Sequence, residues 1–145
     1  MKKLILLFAC LFTFHTVVKA DNDKPIQLTQ LPQQAQQFIK QHFASSQVAM
    51  SKMETDLFYK TYDVIFTNGN KVEFDKKGAW TEVNCKFDAV PLKVIPTAIL
   101  KFVTANYPKA KITVIERDSK DYEVKLSTGL ELKFDRKFNL IDIDN

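Results

Sequence analysis

Few residues of this chain could do chemistry. Beyond the first twenty residues, the sequence contains one histidine, His42, and one cysteine, Cys85. A histidine metal site or a Ser-His-acid triad would have to use His42. That residue falls on the apolar stripe of a predicted helix, and we interpret it as a hydrogen-bonded histidine at the edge of the core. We interpret Cys85 as a small, partly buried hydrophobe; a reactive or pairing thiol and a Cys85–His42 dyad are the alternatives.

The recurring aspartates and the glycines are typical of turns. Asp75 and Asp135 each begin a predicted turn, where an aspartate side chain caps its own backbone. Asp142 and Asp144 lack the spacing of a calcium-binding loop. The glycines stand at turn positions and form no phosphate-binding loop: Gly69, Gly78 and Gly129. We therefore predict no catalytic residue, no metal ligand and no cofactor, and keep an enzyme with an unrecognised site only as a remote alternative.

The N-terminus has the pattern of a signal peptide. Lys2 and Lys3 precede a largely apolar run from Leu4 to Val18, and the small residue Ala20 is followed by polar residues. The run is too short and too interrupted to span a bilayer as a helix. We predict a signal peptide over residues 1–20 with cleavage after Ala20, and a periplasmic or secreted protein. Lipoprotein processing at Cys10 is the alternative.

The charge balance excludes one class of partner. The chain has 21 Lys and Arg residues against 17 Asp and Glu, and three of the lysines lie in the predicted leader, which has no acidic residue. The remaining 125 residues thus carry 18 basic and 17 acidic groups, a net charge of +1. Nucleic-acid binding requires a concentrated basic face, which this balance does not indicate. The length is that of one domain.

The chain contains two similar stretches. Leu31-Pro32 reappears 64 positions later as Ile95-Pro96, and a strand pattern beginning at Tyr62 reappears 60 positions later at Tyr122. In each stretch a helical spacing of apolar residues gives way to alternation with a period of two. These patterns predict an α+β fold: a tandem duplication of a helix followed by a four-stranded antiparallel meander, forming one curved antiparallel sheet with the helices on one face.

The same patterns predict the organisation of the chain. After the leader we predict a flexible N-terminal arm at 21–30, a first repeat at 31–84, a stiff connector at 85–94 and a second repeat at 95–145. In the second repeat Phe138 replaces the turn glycine Gly78, so Asn139 is predicted to take the left-handed conformation.

One face of the predicted sheet is charged and carries a few apolar residues. Ile65, Trp80, Ile115 and Leu140 are in phase with charged residues such as Glu73 and Lys133. Apolar anchors framed by charges are the anatomy of a protein interface, so these six residues are the predicted partner-binding site. In the alternative interpretation, β-bulges shift the phase, or the apolar residues pack on the connector or the N-terminal arm.

The sequence between Tyr62 and Trp80, with its echo from Tyr122 to Leu140, resembles the PepSY-like, beta-lactamase-inhibitor-like family of small exported bacterial proteins. The resemblance covers about residues 31–144. It implies a duplicated α+β fold with helices against an antiparallel sheet, a periplasmic or secreted location and a role in binding or inhibiting another protein. It supplies no catalytic residues.

The sequence therefore predicts an exported, non-enzymatic protein-binding module, with inhibition of the bound protein as one form of that role. The predicted partner is another envelope or secreted protein, and neither nucleic acid nor a stable membrane span is expected. A periplasmic small-ligand carrier or envelope-stress sensor is the alternative function.

Overall fold

The computed structural model describes residues 22–145. The two α-helices in this range are α1 (Gln33–His42) and α2 (Thr97–Asn106). The strands are β1 (Asp23–Ile26), β2 (Val48–Thr55), β3 (Lys60–Phe66), β4 (Lys71–Phe74), β5 (Trp80–Asn84), β6 (Ile112–Arg117), β7 (Asp121–Leu126), β8 (Glu131–Asp135) and β9 (Leu140–Asp144). The predicted signal peptide, its cleavage site and Cys10 lie outside the described residues. From residue 22 onward, no helix is long and apolar enough to cross a membrane.

All nine strands form one antiparallel sheet, and their order in the sheet is their order in the chain. The α+β class and the single antiparallel sheet predicted from the sequence are thereby confirmed. Successive antiparallel strands reverse direction, so alternate turns gather at the same end of the sheet. The turns β2–β3, β4–β5, β6–β7 and β8–β9 share one end, which we call the four-turn end. The turns β3–β4 and β7–β8 lie at the opposite end.

A row of fully buried aliphatic residues crosses the middle of the sheet. Residues directly opposite one another on neighbouring strands point to the same face. The row runs through six consecutive strands, and none of its members is exposed: Val64, Val72, Val83, Ile115, Val124 and Leu132. Burial of each such side chain contributes about 1.5–3 kcal/mol to folding. We call these residues the buried row.

Both helices pack on the face that carries the buried row. Each begins directly after a proline, Pro32 for α1 and Pro96 for α2, where a fixed φ and a missing N–H cost the helix nothing. Phe38 of α1 meets Phe74 edge to face, with ring centroids 5.6 Å apart. The equivalent contact of α2, between Phe102 and Phe134, is 5.4 Å.

The predicted flexible N-terminal arm is wrong. Residues 23–26 form strand β1, which pairs with β2, and Leu28–Gln30 form a 3-10 turn. The sequence of this segment is polar, which suggested a loose arm, but the segment makes specific polar contacts with β2. The Ser51 hydroxyl donates to the Ile26 carbonyl at 2.6 Å, and Lys52 pairs with Asp23. Cross-strand pairing and these side-chain bonds hold a segment that has little apolar surface of its own.

The two border strands of the sheet offer few free backbone donors. β1 contains Pro25, which has no N–H. On β9, Asp142 Oδ1 accepts the N–H of Ile143 at 3.0 Å. Asp144 Oδ1 accepts the N–H of Asn145 in the same way, at 2.8 Å. Both borders thus carry the residue types that discourage pairing with a further strand.

The turns β4–β5 and β8–β9 have the same hydrogen-bond scheme despite different sequences. Asp75 Oδ1 accepts the N–H groups of Lys77 and Ala79 at 2.8 and 3.0 Å. Asp135 makes the equivalent bonds to residues 137 and 139, both at 2.9 Å. The scheme requires a positive φ at the fourth position, so Phe138 takes it (φ 66°) and the prediction for Asn139 is wrong. The Phe138 ring packs on Tyr122, with centroids 5.3 Å apart.

The close packing of the β4–β5 turn on the start of α1 is a second reason for a glycine at position 78. A Cβ added at Gly78 would lie 2.8 Å from Pro32 Cβ and 2.9 Å from the Ala35 nitrogen, whereas one at Gly129 would meet no atom within 4 Å. Both glycines have a positive φ, 88° and 95°. Gly129→Ala should therefore cost only the backbone strain, about 1 kcal/mol. Gly78→Ala should cost about 1–3 kcal/mol more, because the turn is pushed away from α1.

Urea denaturation of the two alanine variants beside the native protein measures both losses. Equal losses would contradict the close packing of the β4–β5 turn on the start of α1.

Candidate functional site

The face of the sheet opposite the helices carries a row of acidic residues. Because side chains alternate along a strand, the positions next to the buried row point outward. Four of these positions, on the consecutive strands β4 to β7, are directly opposite one another and are all glutamate: Glu73, Glu82, Glu116 and Glu123. We call them the glutamate row. Opposite residues have Cβ atoms about 4.5–5.5 Å apart, and like charges at that spacing are destabilising.

Lysines compensate the acidic charge at one side of the row. Asp63 of β3 lies opposite Glu73 and is 8% exposed. Its Oδ2 is 3.5 Å from Lys52 Nζ and 3.4 Å from Lys71 Nζ. Lys71 also reaches Glu73, at 3.7 Å. Nearby acids raise the pKa of Lys71 despite its desolvation, which opposes that rise.

A lysine compensates the other side as well. Lys133 of β8 lies opposite Glu123. Its Nζ is 3.9 Å from the Glu123 carboxylate and 3.3 Å from that of Asp121. The negative charge at both outer members of the glutamate row is therefore partly offset.

The centre of the row has no such compensation. Glu82 accepts a hydrogen bond from the Asn84 amide at 3.1 Å. Neither Glu82 nor Glu116 forms an ion pair within residues 22–145. The pKa of Glu116 is raised above its ordinary value, first by desolvation and then by repulsion from Glu82 and Glu123. The middle of the outer face is thus a site of concentrated negative charge.

An open groove of about 770 Å³ extends from the glutamate row to the four-turn end. Its lining includes Arg117, whose guanidinium lies 3.9 Å from the centre of the Trp80 ring. The Arg117 Nε–H donates to the Trp80 carbonyl at 2.8 Å. Arg136 lies in a similar way over Tyr122, at 4.6 Å. The aromatic faces near the groove are therefore occupied by the protein's own arginines.

The predicted placement of three candidate residues on the outer face is wrong. Trp80 is 8% exposed, lies opposite Phe74 and packs with its ring 6.5 Å from Phe38. Ile115 belongs to the fully buried row, and Leu140 lies opposite Phe134, packed against the core.

The physical reason is a pairing shift in each of the three strand pairs. The shifts occur between Glu73 and Phe74, between Ile112 and Val114, and between Lys133 and Phe134. Each shift inserts one residue and exchanges the faces of the residues beyond it. The alternative interpretation of the sequence, in which bulges alter the phase, is the one that holds for Trp80, Ile115 and Leu140.

The other three candidates do lie on the outer face. Ile65 is partly buried there, opposite Met50 and Lys71. Glu73 and Lys133 take the positions described above, within and beside the glutamate row. Sequence reasoning missed Glu116, because the pairing shift in β6 hides its direction. The positions of the turns are the signal that would have found the glutamate row. They fix which residues of neighbouring strands lie opposite one another, whereas alternation alone does not.

The structure shows the environments of Cys85 and His42, the two residues singled out for possible chemistry. Cys85 is fully buried, and burial, reinforced by Asp88, raises the pKa of its thiol to about 11. At neutral pH it is protonated and a poor nucleophile. The His42 ring lies against the Phe38 ring, with centroids 4.7 Å apart and the planes tilted by 51°, and desolvation and then Lys93 lower the pKa of His42. Among residues 22–145, no group of three or more His, Cys, Asp or Glu residues is placed to hold a metal ion.

The chain is similar to proteins of known structure. Residues 60–142 match a family model described as "Putative beta-lactamase-inhibitor-like, PepSY-like". A Bacteroides thetaiotaomicron structure described as a "putative calcium-regulated periplasmic protein" is 72% identical, with a TM-score of 0.84 over 85% of this chain and 97% of that one.

Two structures from Bacteroides vulgatus, each described as a "putative periplasmic protein", are also similar. One is 69% identical, with a TM-score of 0.85 over 87% of this chain and 99% of that one. The other is 39% identical, with a TM-score of 0.80 over 85% and 99%. No curated protein matches the chain. The periplasmic location predicted from the sequence is confirmed by these relatives.

The repulsion at the centre of the row gives a testable stability effect. The folded-state pKa of Glu116 is raised, so its negative charge destabilises the fold at pH values above that pKa. The fold regains this stability as the pH falls and the carboxyl takes up a proton. Glu116→Gln should therefore raise stability at pH 7 by about 0.5 kcal/mol, or roughly 2 °C in Tm. The gain should vanish below about pH 4, where the native glutamate is neutral.

Thermal melts across this pH range measure the gain. Glu131→Gln is the matched control, since it removes the same charge but breaks an ion pair with Lys125 at 2.6 Å and should give no gain. A Glu116→Gln variant less stable than the native protein at pH 7 would contradict the repulsion.

Proposed function

Because the chain belongs to the PepSY-like family, we propose a non-enzymatic role for it: binding another protein of the envelope through the outer face of its sheet. The glutamate row is the observation that carries this proposal. Four like charges in register lower the stability of the free protein, and a basic partner surface would relieve their repulsion. The lysines beside the row restrict the unbalanced charge to its centre, which favours a partner with a matching local cluster of Lys or Arg.

The site in this proposal differs from the one expected from the sequence. Ile65, Glu73 and Lys133 remain in it, and Glu82, Glu116 and Glu123 join them. Met50, 44% exposed and opposite Ile65, adds apolar surface at the edge of the charged area. An apolar spot beside a charged one is a usual arrangement in protein interfaces. Inhibition is the proposed consequence where the partner is an enzyme whose active site this face covers.

The proposal includes a tandem duplication, because a duplication would explain why the four glutamates meet at the junction of two halves. The repeated order of one helix and four strands supports two equivalent halves, α1 with β2–β5 and α2 with β6–β9. The first half contributes Glu73 and Glu82 to the row, and the second contributes Glu116 and Glu123. In this view the site exists only where the halves join.

The burial of Cys85 and the raised pKa of its thiol support a non-enzymatic role. Two further observations favour protein binding over the carriage of a small ligand. The space between helices and sheet is filled by fully buried side chains such as Phe74, Phe134 and Ile99. The 770 Å³ groove is open to solvent along the outer face.

The test compares two variants with equal charge changes. Glu82→Gln with Glu116→Gln neutralises the centre of the row, and Asp56→Asn with Asp88→Asn neutralises two exposed loop residues. Each tagged protein is used to capture partners from a periplasmic extract, and the affinity for the purified partner is then measured. The first variant should bind about tenfold more weakly, a loss of about 1.4 kcal/mol, and the second should bind like the native protein.

Binding should also weaken with salt, since the Debye length falls from about 10 Å at 0.1 M to about 3 Å at 1 M. A partner that both variants bind equally well would rule out the outer face as the site.

A calcium response is a second candidate function. It is favoured by the relative of 72% identity that is described as calcium-regulated and by the carboxylate oxygens of the glutamate row, which are ligands that Ca²⁺ accepts. The described residues hold no preformed cluster, so Ca²⁺ binding would need the glutamate side chains to converge. Affinity should therefore be that of weak extracellular sites, with a Kd of about 10⁻⁴–10⁻³ M.

Thermal melts in millimolar CaCl₂ test this function. The Tm of the native protein should rise, and that of the Glu82→Gln, Glu116→Gln variant should not. A NaCl solution of equal ionic strength separates binding from screening. Equal responses to the two salts would exclude a calcium site.

A further inference from the structure

The hairpin between β2 and β3 ends in an apolar tip that neither the core nor the glutamate row uses. Leu57 is 90% exposed and Phe58 is 96% exposed, more than any other large apolar residue among those described. Tyr59 follows them and is 45% exposed. Leaving two adjacent large apolar side chains in water forgoes the free energy that their burial would contribute. Such exposure marks a contact site when the backbone holds the residues in place.

The backbone does hold this tip in place. The Asp56 N–H donates to the Tyr59 carbonyl at 2.9 Å, and the Leu57 N–H donates to Asp56 Oδ1 at 2.6 Å. The Tyr59 hydroxyl donates to Glu54 at 3.1 Å. The two carboxylates nearest to the tip are therefore engaged by the hairpin itself.

The apolar tip is not a requirement of the turn. The hairpin between β6 and β7 closes with the equivalent backbone bond, from the Asp118 N–H to the Asp121 carbonyl at 3.1 Å. Its tip residues are the polar Ser119 and Lys120. β2 has eight residues where β6 has six, so the β2–β3 tip projects about 7 Å further.

Basic residues accompany the tip at the four-turn end. The other three turns at this end carry exposed cations: Lys76 and Lys77 on β4–β5, Lys120 on β6–β7, Arg136 and Lys137 on β8–β9. The aspartates of these turns are Asp75, Asp118 and Asp135, and each accepts hydrogen bonds from backbone N–H groups of its own turn. Their carboxylates are thus turned toward the protein. Arg136 also lies on the protein, over Tyr122 and bonded to the Asp118 carbonyl, whereas the exposed lysine side chains of the three turns can extend from it.

We propose that the four-turn end docks on an anionic phospholipid bilayer, with Leu57 and Phe58 entering the interface and the turn lysines meeting the headgroups. A projecting apolar tip can insert between the lipid headgroups, because the lipids rearrange around it. Cations on three successive turns fit a partner whose negative charge continues laterally, as a lipid surface does. The outer face stands beside this end, so the glutamate row stays open to a protein while the tip is in the membrane.

The test is co-sedimentation of the exported protein, purified from a periplasmic fraction, with lipid vesicles. Phosphatidylethanolamine vesicles containing phosphatidylglycerol should bind the native protein, and phosphatidylcholine vesicles should bind it about fivefold more weakly for each lysine that reaches the surface. Leu57→Ser with Phe58→Ser should weaken binding to the anionic vesicles by at least about tenfold, because the burial of one such side chain is worth that much in partition. Both serines stand on an exposed tip and should leave the thermal melt unchanged.

Matched controls come from the opposite end of the sheet. Phe87 is 78% exposed there, and its ring lies 3.2 Å from the position that a Cβ on Gly69 of the β3–β4 turn would take. Phe87→Ser removes an exposed phenylalanine from the end opposite the tip and should not alter binding. Lys76→Gln with Lys77→Gln should weaken binding to anionic vesicles only. Lys109→Gln with Lys111→Gln, before β6, should leave it unchanged.

Three outcomes would overturn the proposal. The native protein could fail to bind the anionic vesicles, or Phe87→Ser could lose as much binding as the tip variant. The tip variant could instead lose a protein partner while the native protein binds no vesicles, which would make the tip a protein-docking element. The Glu82→Gln, Glu116→Gln variant should still bind vesicles, so a failure of the protein-binding proposal is separable from a failure of this one.

Discussion

The cross-strand register of the buried row is the constraint on which the rest of the structure depends. Six aliphatic side chains stand opposite one another from Val64 to Leu132, and all are fully buried. Side chains alternate between faces, so the register that aligns these residues also aligns the four glutamates behind them. A slip of one residue would move the glutamates into the core. The core therefore holds together a set of charges that repel one another.

Much of the fold could be predicted from the sequence, because it follows from periodicity and turn chemistry. Pro32 and Pro96 mark the helix starts, and the alternation from Tyr62 and from Tyr122 marks strands that do form. The face to which a side chain points could not be predicted beyond a bulge, because one inserted residue moves every later side chain to the opposite face. Trp80, Ile115 and Leu140 were misplaced for this reason. Glu116 was missed for the same reason, although it stands at the centre of the charged face.

The two halves of the sheet present different series of residues on the outer face. On the outer face the first half presents, strand by strand, Lys52, Asp63, Glu73 and Glu82, and the second half presents Glu116, Glu123, Lys133 and Asp142. Each series mixes acids with one lysine. The lysine comes first in one series and third in the other, so joining β5 to β6 brings only acids together. The fully buried positions behind them are aliphatic throughout, from Val64 to Leu132.

The borders of the sheet have a consequence for how the protein behaves in a crowded compartment. A sheet that is open at both sides could in principle recruit strands from other molecules and grow into fibrils. Pro25 removes a donor from one border, and Asp142 and Asp144 occupy donors at the other while adding negative charge. These features disfavour pairing between the sheets of two molecules, and that protection matters most where the protein is concentrated.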